Sequence, residues 1–485
     1  MARLAAADLF KKEVLSLLST HWEKMARPAA ATDSFKKEVV SLMNTLAKEV
    51  GCDELAIDVP LVMEPTQWPE CCIYRVPKKL REVNKEAYTP KLISIGPLHH
   101  GENELCAMEI LKLRYLREFC YRIKKGYDEL ASVIEANELK IRRCYEETFD
   151  ISSEDFVKMV LLDSTFIIEL FLKYAASDSS AIKNDYISSK PLLKKHIQQD
   201  LILLENQIPF FILDKLYSQS PMSEQISFLE LARNYLLPAS ERETIIDERR
   251  VKHFTDLKRY VYYPSIQPKP GKPIENLHNA KKLDEAGVIF KRAEKGRLLD
   301  IVFQKSNLLE TFPCFTCSWL LHCVPFLERF QCLVNTQTFL KVPRLEVRDE
   351  TECIFRNLMA LEQCHYPNDA YICNYIVLLD FLINTREDVE LLVDEGIIVN
   401  ALGSNKAVAT MVNRLRLEIV ENNSFYQSLT QDLNAFYSKF WNRSMGYLRT
   451  IYFRDIWRGT ATVVGVIVLV VTVLNFLRPF IFGKI

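Results

Sequence analysis

Glycine is scarce in this chain, with 13 in 485 residues, and none falls into a GxGxxG or GxxxxGK[ST] arrangement. Nucleotide binding on a glycine-rich phosphate loop is therefore not expected. A surplus of charge is missing too. The 62 Lys and Arg nearly cancel the 63 Asp and Glu, leaving −1, so no global field draws in nucleic acid or an acidic substrate. The signatures GxSxG and HExxH and the kinase motifs are absent. The opening stretch MARLAAADLFKKEVLSLL lacks the continuous apolar core of a signal peptide. The 13 cysteines, odd in number and dispersed, read as free thiols in a reducing compartment rather than a disulfide framework.

Apolar residues are plentiful, at 48%, so a sizeable core can form. Residues 1–60 hold a repeat: FKKEVLSLLST (10–20) returns as FKKEVVSLMNT (35–45). Phe10, Val14, Leu17 and Leu18 share one helical face, and Phe35, Val39, Leu42 and Met43 copy it. The next part, 62–261, reads as helical. Met108, Leu111, Tyr115, Phe119 and Ile123 mark an amphipathic helix, and VKMVLLDSTFIIELFLKY (157–174) is apolar nearly all round. DLILLENQIPFFILDKLY (200–217) reads as a similar helix that Pro209 kinks or restarts. Four prolines in 262–278 indicate a linker. In 279–455, GVIFKRAEKGRLLDIVFQ (287–304) reads as a hairpin around Glu294-Lys295-Gly296. FLKVPRLEVRD (339–349) offers a third strand, and helices follow. The expected fold is mainly α with a small antiparallel β-sheet, an α+β architecture.

Residues 459–477 carry no charge. As a helix they would reach roughly 28 Å, close to the ~30 Å hydrocarbon core. They read as a single-pass C-terminal transmembrane helix with a short tail, 478–485. Arg443, Arg449, Arg454 and Arg458 before it outnumber Arg478 and Lys484 after it, which favours a tail anchor with the bulk of the chain cytosolic. The sequons at Asn422 and Asn442 would then carry no glycan.

Three clusters invite a chemical reading. Cys314, Cys317, His322 and Cys323, with Cys364 and His365 at a distance, resemble half of a zinc site, but no second pair follows at zinc-finger spacing. Packed small hydrophobes account better for them. Asp163, Glu169 and Glu205 lie inside apolar text, where burial raises a carboxyl pKa toward general-acid values. His99 and His100 sit in YTPKLISIGPLHHG (88–101) between Gly96-Pro97 and Gly101. Adjacent side chains there point apart, so both do not bind one metal. The stretch reads as a corner, with one histidine bonding the exposed amides of the following helix. Glu205, Asn206 and Gln207 read as a buried network at the Pro209 kink, tied to a segment such as the LEQ at 361–363. No catalytic, cofactor-binding or metal residue is assigned, and no cofactor is expected.

The string IYRVPKKLREVNKEAYTPKLISIGPLHHG resembles the opening signature of the plant family known as domain of unknown function 247. MVLLDSTFIIELF, DLILLENQIPFFILDKL, DEAGVIFKR and VPRLEVRDETECIFRNLMALEQ follow in order, so the resemblance covers about residues 62–477. Leu98 and Ser164-Thr165 depart from the common pattern. The resemblance implies a plant protein without established enzymatic activity, some relatives lying at grass self-incompatibility loci. The expected function is a membrane-anchored recognition or protein-interaction component, in self-incompatibility or defence signalling. The alternative is an enzyme using Glu205 with Asp163 or with His99 and His100.

Overall fold

The computed structural model describes residues 68–176, 185–187, 189–242, 250–265, 267–305, 337–440, 442–444 and 456–482. The duplicated segment in 1–60 and the cluster Cys314, Cys317, His322 and Cys323 lie outside the described residues. The chain divides into two compact units. Helix α1 (Lys78–Val83) belongs to the second unit, which takes in Lys78–Ala87 and the chain from Tyr262; Tyr88–Val261 and the chain up to Pro77 form the first.

The first unit is helical: α2 (Glu109–Ile123), α3 (Tyr127–Glu135), α4 (Glu138–Arg143), α5 (Ser153–Ala175), α6 (Pro191–Asp200), α7 (Phe210–Tyr217), α8 (Phe228–Leu236) and α9 (Phe254–Val261). Helix α5 is its axis. Ser152 caps it by accepting the Asp155 amide at 3.1 Å, and Glu154 and Asp155 oppose the positive end of its dipole. From Met159 to Leu172 every side chain is buried, because α2, α3, α7 and α8 all pack around it. Phe171 stacks on Tyr235 and Phe228 and meets Phe254 at a tilt of 58°.

One expected helix is missing. Residues 201–209 form buried turns rather than helix. The Gln207 amide donates to the carbonyls of Leu201 and Leu203, both at 2.7 Å, and Asn206 donates to Asp200 O at 2.9 Å. Side chains thus take acceptors that a continuing helix would need. Pro209 then serves as the N-cap of α7.

The second unit continues with α10 (Ala280–Glu285), β1 (Val288–Arg292), β2 (Val302–Gln304), β3 (Thr338–Val342), β4 (Leu345–Val347), α11 (Thr351–His365), α12 (Tyr371–Leu382), α13 (Arg386–Asp394), β5 (Ile398–Asn400), α14 (Asn405–Leu415) and α15 (Gln427–Ser438). The expected hairpin does not form: β3 stands between β1 and β2, parallel to the first and antiparallel to the second. The burial pattern explains the order. Thr338, Leu340 and Val342 are buried in alternation, which suits a central strand, whereas β2 is largely exposed and suits an edge. The sheet is therefore mixed, not antiparallel. A second, parallel pair joins β4 to β5, and Pro343 stands between β3 and β4. The proline-rich stretch after Val261 is laid against this unit, with Tyr262 stacked on Phe355 and Gly271 bridged to Ser424.

Helix α16 (Ile456–Phe482) covers the apolar C-terminal run. The transmembrane helix expected at 459–477 is nevertheless not supported: among the described residues no helix is long and apolar enough to cross a membrane. The single-pass, tail-anchored arrangement drawn from it is likewise not supported.

The aromatic packing around α5 sets a testable magnitude. Phe171→Ala empties a fully buried site among three aromatic rings and should cost about 3–5 kcal/mol of stability. The urea midpoint reads this directly, and a loss under about 1 kcal/mol would mean that the cluster is not tightly packed.

Candidate functional site

The stretch 91–96 threads through the first unit outside any helix or strand pairing, so its amides need other acceptors. Side chains from three places supply them. Asp200, at the end of α6, accepts from Lys91 N (3.0 Å), Leu92 N (2.7 Å) and Ile93 N (3.0 Å). Asn206 accepts from Ile95 N at 2.7 Å and donates to Ile93 O at 3.0 Å. Asp163 of α5 accepts from Gly96 N at 2.8 Å. Gly96 has φ +74°, and a Cβ there would run into the Gln207 carbonyl oxygen. Only glycine fits without strain.

Lys112 of α2 completes the cradle. Its ammonium donates to Ser94 O and pairs with Asp163 and Glu109, each at 2.6 Å. Burial opposes its charge, yet the two carboxylates outweigh that and push its pKa above the ordinary 10.5. The sequence reading passed over this residue. Met108, Lys112, Tyr115, Phe119 and Ile123 share the buried face of α2, and a lysine on such a face is a sign of a buried counter-charge.

The histidines part as adjacent residues should. His99 is buried and His100 exposed. His99 does not bond the amides of the next helix; its Nδ1 meets Glu102 Oε1 at 2.7 Å. Its Nε2 lies 3.2 Å from Glu205 Oε2, outside hydrogen-bond geometry. Glu205 Oε1 accepts from Val76 N at 2.7 Å, and Arg75 Nη1 stands 3.7 Å from Oε2. The structure thus brings His99 and Glu205 together, while Asp163 serves Gly96 and Lys112. Glu169 is elsewhere on α5, held by a two-pronged contact from Arg122 at 2.7 and 2.9 Å.

The LENQ network is buried, but its partners are Val76, Ile93, Ile95 and Phe254. The LEQ at 361–363 does other work: Glu362 accepts the first amides of α12, Ile372 N and Cys373 N, both at 2.9 Å. Asn442, half of one sequon, is buried with its Nδ2 bonded to Phe436 O at 2.8 Å. Among the described residues no group of three or more His, Cys, Asp or Glu is placed to hold a metal.

Residues 73–471 match the family described as plant protein of unknown function, domain of unknown function 247. Among curated proteins, a UPF0481 protein of Arabidopsis thaliana is 28% identical over 86% of this chain and 87% of its own length. A putative UPF0481 protein of the same plant is 24% identical over 83% of this chain and 89% of its own. No solved structure matches the chain. The chain belongs to this plant family.

Two outcomes follow from the cradle. Glu205→Ala leaves Val76 N without its acceptor and should cost ~2–4 kcal/mol, with Glu205→Gln milder because it keeps one carbonyl oxygen. An unchanged melting temperature in the alanine variant would contradict this. The raised pKa of Lys112 means that its stabilisation is complete below about pH 10.5 and is lost as pH rises through the higher folded value. Alkaline unfolding should therefore shift in Lys112→Met, and identical alkaline profiles would show that the ion pair contributes nothing.

Proposed function

We propose that this member of the family is a recognition component that binds a partner protein through the outward face of α2. One observation carries the reading. Ile110, Leu113 and Tyr121 are 76%, 52% and 88% exposed, and with Arg117 they fall at i, i+3, i+7 and i+11, a single stripe of the helix. Arg117 pairs with no acid among the described residues. Tyrosine and arginine are enriched at protein interfaces and among their hot spots, and the two aliphatic side chains extend the apolar surface beside them. The partner that fits is an amphipathic helix with an acid opposite Arg117. The opposite face of α2 is fixed by Lys112 and the buried aromatics, so the stripe is presented on a rigid element.

A second reading, general acid–base chemistry at His99, has the 3.2 Å approach of Glu205 in its favour. Against it, Glu205 already accepts the Val76 amide and is fully buried. An activity found in a substrate panel and abolished by His99→Gln at unchanged melting temperature would favour the enzyme.

Proximity labelling with the full chain and its Leu113→Glu and Tyr121→Ala variants tests the recognition reading. A partner recovered by the wild type should bind about tenfold or more weakly to each variant, on the scale of a hot-spot loss. Recovery that is unaffected by both substitutions would sink the α2 surface.

A further inference from the structure

The second unit contains a groove of about 420 Å³ between the start of α11 and the outer side of α14. Leu402, Ala407 and Met411 supply its apolar lining; Arg348, Lys406 and Arg414 supply positive charge, and Asp349 and Glu352 negative. The two acids are not equivalent. Glu352 is engaged from behind, accepting from Asn84 Nδ2 at 2.9 Å and Arg356 Nε at 2.8 Å. Its charge is neutralised by that guanidinium, which leaves Asp349 to face three cations.

The cations differ too. Arg348 shares its outer side with Glu346 at 2.7 Å, and Arg414 donates to Val83 O at 3.2 Å. Lys406 has no ion pair among the described residues. Behind the wall, Arg356 is 1% exposed. Its Nη2 reaches Arg414 O at 3.2 Å, yet its buried Nη1 has no acceptor among the described residues. Arg356 does not line the groove, and it acts there only by neutralising Glu352. The amide end of α14 opens on the same groove, since Ser404, Lys406 and Ala407 line it; one of its amides, Ala407 N, is taken by Ser404 Oγ at 3.1 Å.

We infer that this groove binds a phosphorylated peptide segment, its phosphate held by Lys406, Arg348 and Arg414 and a neighbouring apolar side chain seated on Leu402, Ala407 and Met411. The phosphate carries about −1.5 to −2 at neutral pH and three strong acceptor oxygens. With Glu352 neutralised by Arg356, the three lining cations outnumber Asp349, which suits a doubly charged phosphate better than a single carboxylate. Guanidinium groups in particular suit phosphate geometry. The inference is independent of the α2 surface.

The test uses the purified full chain and a fluorescent degenerate peptide library built around a fixed phosphoserine, with the unphosphorylated library and inorganic phosphate as further arms. Selected phosphopeptides should bind in a salt-sensitive way, lose at least about tenfold in Lys406→Glu, and be displaced by inorganic phosphate. A charge reversal at an exposed side chain leaves the fold intact, which a matching melting temperature verifies. Met411→Ala should also weaken binding, by removing part of the apolar floor, with the melting temperature read alongside. Equal binding of the unphosphorylated library would overturn the inference. So would indifference to Lys406→Glu, or competition by phosphate without any selected sequence.

Discussion

The amides of Ile93, Ile95 and Gly96 lie buried inside the first unit with no neighbouring strand to receive them, and the side chains packed around them answer that need. A buried backbone amide without an acceptor costs about 1–3 kcal/mol, so several in a row would consume most of a domain's net stability. Three carboxyl or carboxamide side chains meet the requirement from fixed positions: Asp200 at the end of α6, Asn206 in the turn after it, and Asp163 halfway along α5. Once Asp163 is drawn in, its own charge needs company, and Lys112 provides it while also covering Ser94 O. The placement of α2 against α5 is therefore dictated by electrostatics as well as by the aromatic core.

The second unit uses the same device. Glu362 seats the start of α12, Asp388 gathers Asn384 N, Thr385 N and Lys281 N, and Asn374 clamps Phe425 N and Asn423 O. Acids and amides buried in apolar text are thus braces for irregular backbone in both units. Among the described residues, side chains that remain unengaged lie on the outer stripe of α2 and around Lys406.

What could be read from sequence followed the range of the interaction. Helix α5 was legible because the run at 157–174, apolar nearly all round, is a local signal. Glu205, Asn206 and Gln207 were legible as a polar break in apolar text, but their partners were not. Asn206 and Ile95 are 111 positions apart, and no spacing rule connects them. The same side chains misled the helix assignment over 200–208, because their bonds to nearby carbonyls compete with helix in a way that hydrophobic periodicity does not register. The hairpin expected at 287–304 failed for a related reason: β1 and β2 are adjacent in sequence, yet β3 brings the better alternation and takes the centre. Lys112 was legible in principle, as a cation on an apolar face, and the reading chose Leu111 instead.

Native-state hydrogen exchange at Ile93, Ile95 and Gly96 tests the central claim most directly. If side-chain acceptors hold these amides as firmly as a sheet would, they should exchange only through global unfolding, with protection equal to that of the amides in the middle of α5. Asn206→Ala should then release Ile95 selectively. Exchange at rates typical of a surface loop, with α5 still protected, would contradict the account.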